Sequence, residues 1–460
     1  MLFSVVLLTN MTRANEIGAN SYLLDLGQEG SVILDAGSHP RLDGYEGTPD
    51  FAPSGGKDVR AIFLTHAHHD HTGSLPLAMR AHPKARVFMS EGTYFLADPL
   101  LHNSVEVMTK QRSELGISEY PLYTHGELAQ LTQRWQACGL GKSWSLDGYP
   151  NPKNEPVSFS LHDAGHILGS VGVRIEHRGR SLFYTGDINF ADQRLMKAAS
   201  FPTSGIDILV TETTRGGSPR KEARGPVIER FFQAMDETFA QGGAVLVPIF
   251  AMGKTQELLA EIYIRWREGR FGRRPLYIGG LSKTFSAIYD KLAQRSVRAH
   301  PDIKLLNDKM PEIMDGRRLK GFKPRKGDLY LLSSGMMTPK TLSNTLGQRF
   351  LSEEKNSVFF VGYCDPESPA GALLETPKGG HVVLDPITGE LEVKCRVEHF
   401  DMTAHAQRED ILDYILKTDP KVCVLVHGDP PALEWFQAQL RELRPNMKIV
   451  IPPPGQPVAL

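Results

Sequence analysis

The sequence predicts an α/β protein in which one domain interrupts another. Three observations carry this. Up to about residue 200, short β runs alternate with Gly-marked turns. From about Thr214, strands alternate with helices, and ligand-type residues crowd the early and late segments while the middle holds few. Strand–helix alternation implies a parallel sheet with crossover helices, so the middle reads as an insertion and the two flanks as one domain. The expected boundaries are 1–213, 214–381 and 382–460. A chain of 460 residues is long for one core and suits this two-domain reading.

In order, the opening Leu2–Leu8 reads as a first strand, too short to span a bilayer and without a basic leader or cleavage site. Ser21–Leu24, Val32–Leu34, Ala61–Leu64, Val157–Leu161, Val171–Ile175 and Leu182–Tyr184 follow as strands, and Ser90–Lys142 is more helical. Val227–Phe239 carries apolar residues at helical spacing and stops at Gly242-Gly243. The inserted unit continues as strand Ala244–Pro248, helix Thr255–Arg267, strand Leu276–Ile278 and helix Phe285–Arg295. Strand Leu329–Leu332, helix Thr341–Leu351 and strand Val358–Val361 complete it. After about Val382 short strands return, and Val422–Val426 delivers His427 at its end.

A formal net charge of -1 leaves no whole-molecule field to attract a polyanion, so any nucleic acid must be held by local basic groups. Four scattered cysteines without paired spacing suit reduced thiols and a cytoplasmic protein. No membrane partner is expected.

The chemistry is concentrated in Thr65-His66-Ala67-His68-His69-Asp70-His71, at the end of an apolar strand. Alternation along the strand lets His66 and His68 point at one spot, with Asp70 and His71 placed to serve a second. Imidazole and carboxylate without thiolate suit zinc or a similar divalent ion in an open catalytic site rather than a structural one. His166, in Ala164-Gly165-His166-Ile167-Leu168-Gly169-Ser170, Asp187, in Tyr184-Thr185-Gly186-Asp187, and His427 each sit at a strand-to-loop junction. Singly, each reads as a turn residue. Together with the cluster they make seven nitrogen and oxygen ligands, enough for two metals sharing a carboxylate, for which Asp187 is the natural candidate.

These motifs resemble the metallo-β-lactamase superfamily. Thr211-Glu212-Thr213-Thr214, Gly243 to Ala251, Ser333-Ser334-Gly335-Met336-Met337 and Thr403-Ala404-His405-Ala406 narrow the resemblance to the β-CASP nucleases. The segment after His166 is similar to that of the endonuclease branch of the cleavage and polyadenylation machinery and its prokaryotic relatives. The implied fold is a metallo-β-lactamase αββα sandwich with an inserted β-CASP domain on a parallel sheet.

The implied activity is that of a ribonuclease using two Zn2+ ions. His66, His68 and His166 would hold one, Asp70, His71 and His427 the other, with Asp187 bridging. Two such ions share a hydroxide and clamp phosphate oxygens, which leaves 5′-phosphate and 3′-hydroxyl ends. Asp70 would also orient or deprotonate the nucleophile, and His405 would stabilise charge or protonate the leaving group. Glu212 would fix a nearby imidazole by hydrogen bonding.

The expected partner is single-stranded RNA lying between the two domains. The chemistry needs no 2′-hydroxyl and so equally admits single-stranded DNA, and a homodimer is one assembly open to the chain. A small-molecule ester or thioester hydrolase and a non-catalytic β-CASP scaffold are the competing readings. The inserted unit argues against the first, and the full ligand set against the second. Gln407, Arg215 and Pro339 depart from the family's usual residues at positions that bear on substrate.

Ser333, Ser334 and Gly335 end a strand before a helix, where backbone N–H groups can bind phosphate. Lys254 opens a helix and is a second substrate-binding candidate. Arg317–Lys326 reads either as a nucleic-acid track or as a solvated charged connection. His39, His69, His162 and His399 are taken as non-ligands.

Overall fold

The structure is a computed structural model describing residues 6–153, 155–219, 222–307 and 310–460. Met1–Val5, the start of the expected first strand, lies outside the described residues, and the rest of that strand is Leu7–Asn10. The chain forms two compact units. One comprises Met1–Asp192, Ala198–Arg220 and His405–Leu460, and the other Gln193–Lys197 and Lys221–Ala404.

Among the described residues, the first unit has two seven-stranded sheets. One runs in the order Pro457–Ala459, Leu7–Asn10, Tyr22–Asp25, Ser31–Leu34, Val59–Phe63, Arg86–Met89, Trp135–Ala137. The other runs Lys448–Val450, Val422–Val426, Ile208–Glu212, Arg180–Tyr184, Val171–His177, Val157–Asp163, Ser143–Ser145. Alternation decides what faces inward. In Val157–Asp163, Val157, Phe159 and Leu161 are buried while Ser158, Ser160 and His162 are partly exposed. The inward set meets Leu24, Leu34, Phe63 and Phe88 of the first sheet, with Phe63 and Phe159 edge to face at 4.7 Å. Each such fully buried side chain contributes about 1.5–3 kcal/mol.

The second sheet's other face packs Phe183, Leu209, Cys423 and Leu425 against Ile411, Ile415, Phe436 and Leu440. Those residues belong to helices Arg408–Thr418 and Pro430–Leu443. Helices Leu75–Ala81 and Glu91–Leu115 accompany the first sheet and complete the αββα sandwich.

The second unit is built on a six-stranded sheet in the order Glu312–Met314, Leu276–Gly279, Leu329–Leu332, Val245–Pro248, Ser357–Phe360, Arg396–His399, every pairing parallel. Its core joins Leu246, Tyr330, Leu332 and Val358 to Leu346 and Phe350 of helix Leu342–Leu351.

Three boundaries differ from the expectation, the first because the stretch from Thr214 to Arg220 stays with the first unit. The return to the first unit comes at His405, not 382, because Arg396–His399 pairs with Ser357–Phe360 and extends the parallel sheet. Gln193–Lys197 also joins the second unit, where the backbone N–H groups of Leu195 and Met196 donate to the Glu257 carboxylate. The late flank is not only short strands: it carries two helices of 11 and 14 residues. Among the described residues no helix is long and apolar enough to cross a membrane.

Candidate metal centre

The parallel pairing of Ser31–Leu34 with Val59–Phe63 sets Leu34 beside Phe63, so the chain beyond each strand emerges at the same edge. Thr65, His66 and His68 follow one strand, and His69–Thr72 form a single helical turn that turns Asp70 and His71 back toward the edge. In the other sheet, Val157–Asp163 leads to His166, Arg180–Tyr184 to Asp187, Ile208–Glu212 ends on Glu212, and Val422–Val426 leads to His427. Residues from Asp35 to His427 thus meet at one end of the sandwich.

Two donor sets result. His66 Nε2 and His166 Nε2 each lie 3.1 Å from His68 Nδ1, and 3.5 and 3.7 Å from Asp187 Oδ2. Four donors placed tetrahedrally at zinc-bond length have edges of about 3.3 Å, close to these separations. In the second set, Asp70 Oδ2 lies 3.8 Å from His71 Nε2 and 3.5 Å from His427 Nε2. Asp187 Oδ1 faces this set, 3.3 Å from His71 Nε2 and 2.9 Å from His427 Nδ1. Among the described residues, buried Asp187 Oδ1 and His427 Nε2 complete no hydrogen bond. The two oxygens of one carboxylate therefore face different donor sets, and the donor chemistry fits a pair of divalent ions.

The surrounding hydrogen bonds fix which nitrogen points inward. Asp35 accepts from Thr65 N, Thr65 Oγ1 and Tyr184 OH, each at 2.8 Å, and from His71 Nδ1 at 2.8 Å, leaving His71 Nε2 for the site. Because the Thr65 hydroxyl donates to Asp35, it accepts from His66 Nδ1 at 3.1 Å, and His66 Nε2 also faces inward.

Neither Asp35 nor Tyr184 is among the candidates from sequence. The available signal is an Asp directly after a buried strand, at φ 59°, a left-handed conformation Asp tolerates. Asp35→Asn keeps the shape but gives His71 a weaker acceptor. The expected result is a 10- to 100-fold loss of metal affinity, roughly as for other removals of a ligand's hydrogen-bond partner, read by competition with a chelating dye.

Electrostatics follow from crowding. Burial, then the neighbouring His71, holds His66 well below the ordinary imidazole range, and burial also lowers His68, so both present neutral lone pairs. For His71 burial opposes the cation, but Asp187, Asp35 and Asp70 hold it well above the usual value. His427 is likewise pushed down by burial and up, to about 10, by Asp187 and Asp70. Burial works against the Asp187 carboxylate, yet His427, His71 and His66 hold it well below its usual range. The cluster's carboxylates call for positive charge, which protons or divalent ions can supply.

His405, the first residue of the returning flank, places Nδ1 3.2 Å from Glu212 Oε2 and 3.9 Å from Asp187 Oδ2. Glu212 is itself fixed, accepting from Ile188 N at 2.5 Å. Burial disfavours the His405 cation, but the Glu212 carboxylate more than offsets this and raises its pKa. The His166 loop is pinned from outside the cluster. Gly169 O accepts from Ser90 Oγ and Thr93 Oγ1 at the start of helix Glu91–Leu115, and Ser170 Oγ accepts from His166 N.

At the base of that loop burial raises the Asp163 carboxyl to about 7 from 3.8. Between those values the native state holds a proton that the unfolded chain has lost, so stability falls as pH rises through the window. Asp163→Asn is expected to flatten that part of a urea-unfolding profile measured from pH 4 to 8.

The substrate candidates lie in the second unit. Lys254 and Gly335 line a common small cavity with Phe250, Gly362 and Tyr363, and Lys254 Nζ donates to Met402 O. Ser334 Oγ closes a local turn with Thr338 N at 3.1 Å, and Ser333 O and Ser334 O accept from Ser343 N and Oγ. In the basic stretch Arg318 pairs with Glu312 and lies over the Tyr277 ring, and Arg325 donates to Tyr277 OH. Arg317, Lys320, Lys323 and Lys326 are exposed. Two of the stretch's cations thus serve the fold. Of the expected non-ligands, His39 pairs with Glu16, His162 meets Ser160, and His399 meets Gly362 O.

Comparison with known proteins agrees with this architecture. The chain matches the family model described as the metallo-beta-lactamase superfamily over residues 14–136 and the Beta-Casp domain over 255–373. It also matches a Zn-dependent metallo-hydrolase RNA specificity domain over 390–452. It is 26% identical over 439 residues to endoribonuclease YSH1 of Eremothecium gossypii, covering 90% of this chain and 54% of that protein. Cleavage and polyadenylation specificity factor 73 of Drosophila melanogaster is 27% identical over 432 residues, with 93% and 60% covered. An Integrator complex subunit 11 homolog of Dictyostelium discoideum is 25% identical over 450 residues, with 92% and 57% covered.

The chain therefore spans 54–60% of the length of these relatives. In fold it is similar to the crystal structure of a protein of unknown function from Enterococcus faecalis V583. The TM-score is 0.57 and the identity 14%, over 99% of this chain and 100% of that one. With three family models in sequence and relatives aligned over 90–93% of its length, the chain belongs to the metallo-β-lactamase superfamily and, within it, to the β-CASP nuclease family.

Proposed function

We propose that this chain is a zinc-dependent endoribonuclease that hydrolyses RNA phosphodiester bonds, leaving 5′-phosphate and 3′-hydroxyl ends. The observation that carries this reading is Asp187, whose two oxygens face two separate donor sets. Relatives named endoribonucleases and the match to an RNA specificity domain favour RNA over other phosphodiesters. Four free thiols favour a reducing compartment such as the cytoplasm.

Two divalent ions in such a site supply Lewis-acid activation of water and neutralise charge on the scissile phosphate. His66, His68 and His166 would hold one, and Asp70, His71 and His427 the other, with Asp187 between them. Asp70, the most exposed of the site's carboxylates, orients the attacking water and accepts its proton. His405 Nδ1 is held by Glu212, and its Nε2 protonates the departing 3′ oxygen. Glu212 acts through that imidazole as a positioning residue.

The test is direct. The purified chain is incubated with end-labelled RNA, single-stranded DNA and generic esters, beside His68→Ala and His405→Ala, and its metal content is measured. Two zinc ions per chain, internal RNA cleavage and loss of cleavage in both variants are expected. Ester turnover with intact RNA would overturn the reading. His405→Ala should lower kcat by about 10²–10⁴-fold, the usual contribution of a general acid, with little change in metal content. Glu212→Gln should cost less, and the double variant should be little worse than His405→Ala alone, because Glu212 acts on the leaving group through His405 while Gln keeps an oxygen for Ile188 N.

A further inference from the structure

In the second unit, strands Val245–Pro248 and Ser357–Phe360 are parallel neighbours, with Val245 beside Ser357 and Leu246 beside Val358. The chain leaves the first for Leu276–Gly279, on one side of the sheet, and leaves the second for Arg396–His399, on the other. Onward connections that part in this way open a crevice beyond the carboxyl ends of the strands, where parallel sheets take their ligands. A cavity lies there. It is lined by Ile249 and Phe250 after one strand, Gly362 and Tyr363 after the other, Gly335 after Leu329–Leu332, and Lys254 at the start of helix Lys254–Arg267.

Two large rings meet solvent at this cavity, Phe250 being 43% and Tyr363 58% exposed. Exposed aromatics scattered singly need no explanation, but two lining one cavity do. Neither loop is slack. Phe250 O accepts from Thr255 N at 3.3 Å and from Thr255 Oγ1 at 2.6 Å, and the Phe250 ring lies against Gly335, where a Cβ would come within 3.2 Å of it. Gly362 O accepts from His399 Nε2 at 2.8 Å, and Met336 joins the neighbouring loops by accepting from Asp365 N and Ala370 N. Both rings are thus presented by fixed backbone, which lowers the ordering cost of binding. Among the described residues no carboxylate lines the cavity, and Lys254, partly exposed, brings a positive charge to it. Lys254 Nζ also reaches Met402 O, shortly before His405 in the chain.

Ring faces beside a cation, with no anion among them, suit a flat π-system joined to a phosphate. We infer that Phe250 and Tyr363 form a stacking site for one unpaired nucleobase of the substrate, with Lys254 serving the adjoining phosphate. The identity of the polymer rests on the proposed nuclease activity. A base inside a duplex has both faces already covered, so the site selects single strands. Every base has a π-face, so it selects little among sequences.

The probes are a single-stranded RNA and a base-free tetrahydrofuran–phosphate oligomer of equal length, titrated by fluorescence anisotropy against protein carrying His68→Ala so that neither is cut. The ratio of the two affinities measures what the bases contribute. Phe250→Leu keeps the apolar bulk but not the π-face, and is expected to weaken RNA binding about 5- to 100-fold while leaving the base-free oligomer unchanged. Tyr363→Leu should act in the same direction, and Phe250→Tyr, which keeps a ring, should bind RNA within about twofold of the parent protein. Lys254→Gln should weaken both oligomers alike and reduce the salt dependence. A merely structural defect in the leucine variants would weaken both oligomers and leave the ratio unmoved. No preference for RNA in the parent protein, or the same preference in both leucine variants, would overturn the stacking site. RNA cleavage by the chain with His68 intact is read separately, so a stacking site that fails in a working nuclease is told apart from failure of the nuclease reading itself.

Discussion

Asp187→Asn is expected to reduce RNA cleavage by at least about a thousandfold, as the proposed service of this carboxylate to two metals requires, while leaving the fold of the sandwich recognisable. The side chain is nearly isosteric, so the change removes charge rather than volume. Both donor sets lose their shared anion. Oδ2 is the fourth member of the His66–His68–His166 set, and Oδ1 faces His71 and His427. Loss of one ordinary ligand, as in His427→Ala, weakens one set, whereas loss of the Asp187 charge weakens both. Metal content should therefore fall from two ions to fewer than one in Asp187→Asn, and to about one in His427→Ala. Elemental analysis after dialysis against a weak chelator reads the difference. Two retained ions in Asp187→Asn would contradict the bridging role.

The second large effect is steric. A Cβ on Gly37 would sit 1.7 Å from the Asp70 carbonyl oxygen and 2.9 Å from Asn20 N. Those two atoms are already bonded to each other at 2.9 Å, and Gly37 N donates to Asn20 O. Gly37→Ala therefore has to push apart backbone, not a flexible side chain, and the displaced backbone carries Asp70 and His71. A loss of about 3 kcal/mol or more is expected, beyond ordinary overpacking because no rotamer change relieves it. Metal affinity should fall with it. Gly126→Ala, in a helix with nothing within 4 Å of the added carbon, is the matched control and should be neutral or slightly stabilising. Thermal unfolding with and without added zinc compares the two.

What is legible in the sequence follows from how local each feature is. His66 to His71 stand out because five ligand-type side chains within six residues rarely occur together unless they bind a metal, and the strand before them is a plain apolar run. Asp35 does not stand out, because an Asp after a strand is an ordinary turn residue. Its role exists only through the parallel register that sets Leu34 beside Phe63 and so brings Asp35 to Thr65 and His71. Glu212 is expected from sequence to hold an unspecified imidazole. That this is His405, 193 residues later, follows from where the chain re-enters the first unit.

The re-entry point itself is hard to place from sequence because Arg396–His399 is a short edge strand with only partly buried or exposed residues, which reads the same in either unit. Trp135–Ala137 is hidden inside a stretch that reads as helical, being too short for its own periodicity. Helix Arg408–Thr418 lies within reach, since Ile411, Tyr414, Ile415 and Thr418 recur at helical spacing, but the apolar strand that follows dominates the pattern there.

Each donor set draws on both sheets: His66, His68, Asp70 and His71 follow a strand of one, and His166, Asp187 and His427 follow strands of the other. Ions bound there stitch the two layers together at one rim, closing loops of up to several hundred residues. Opening the sandwich and releasing the metal then become one thermodynamic event, and folding stability becomes a function of free-metal concentration, rising by about 1.4 kcal/mol per ion for each tenfold increase above the dissociation constant. In a cell, the lifetime of this protein would be set in part by the supply of its divalent metal.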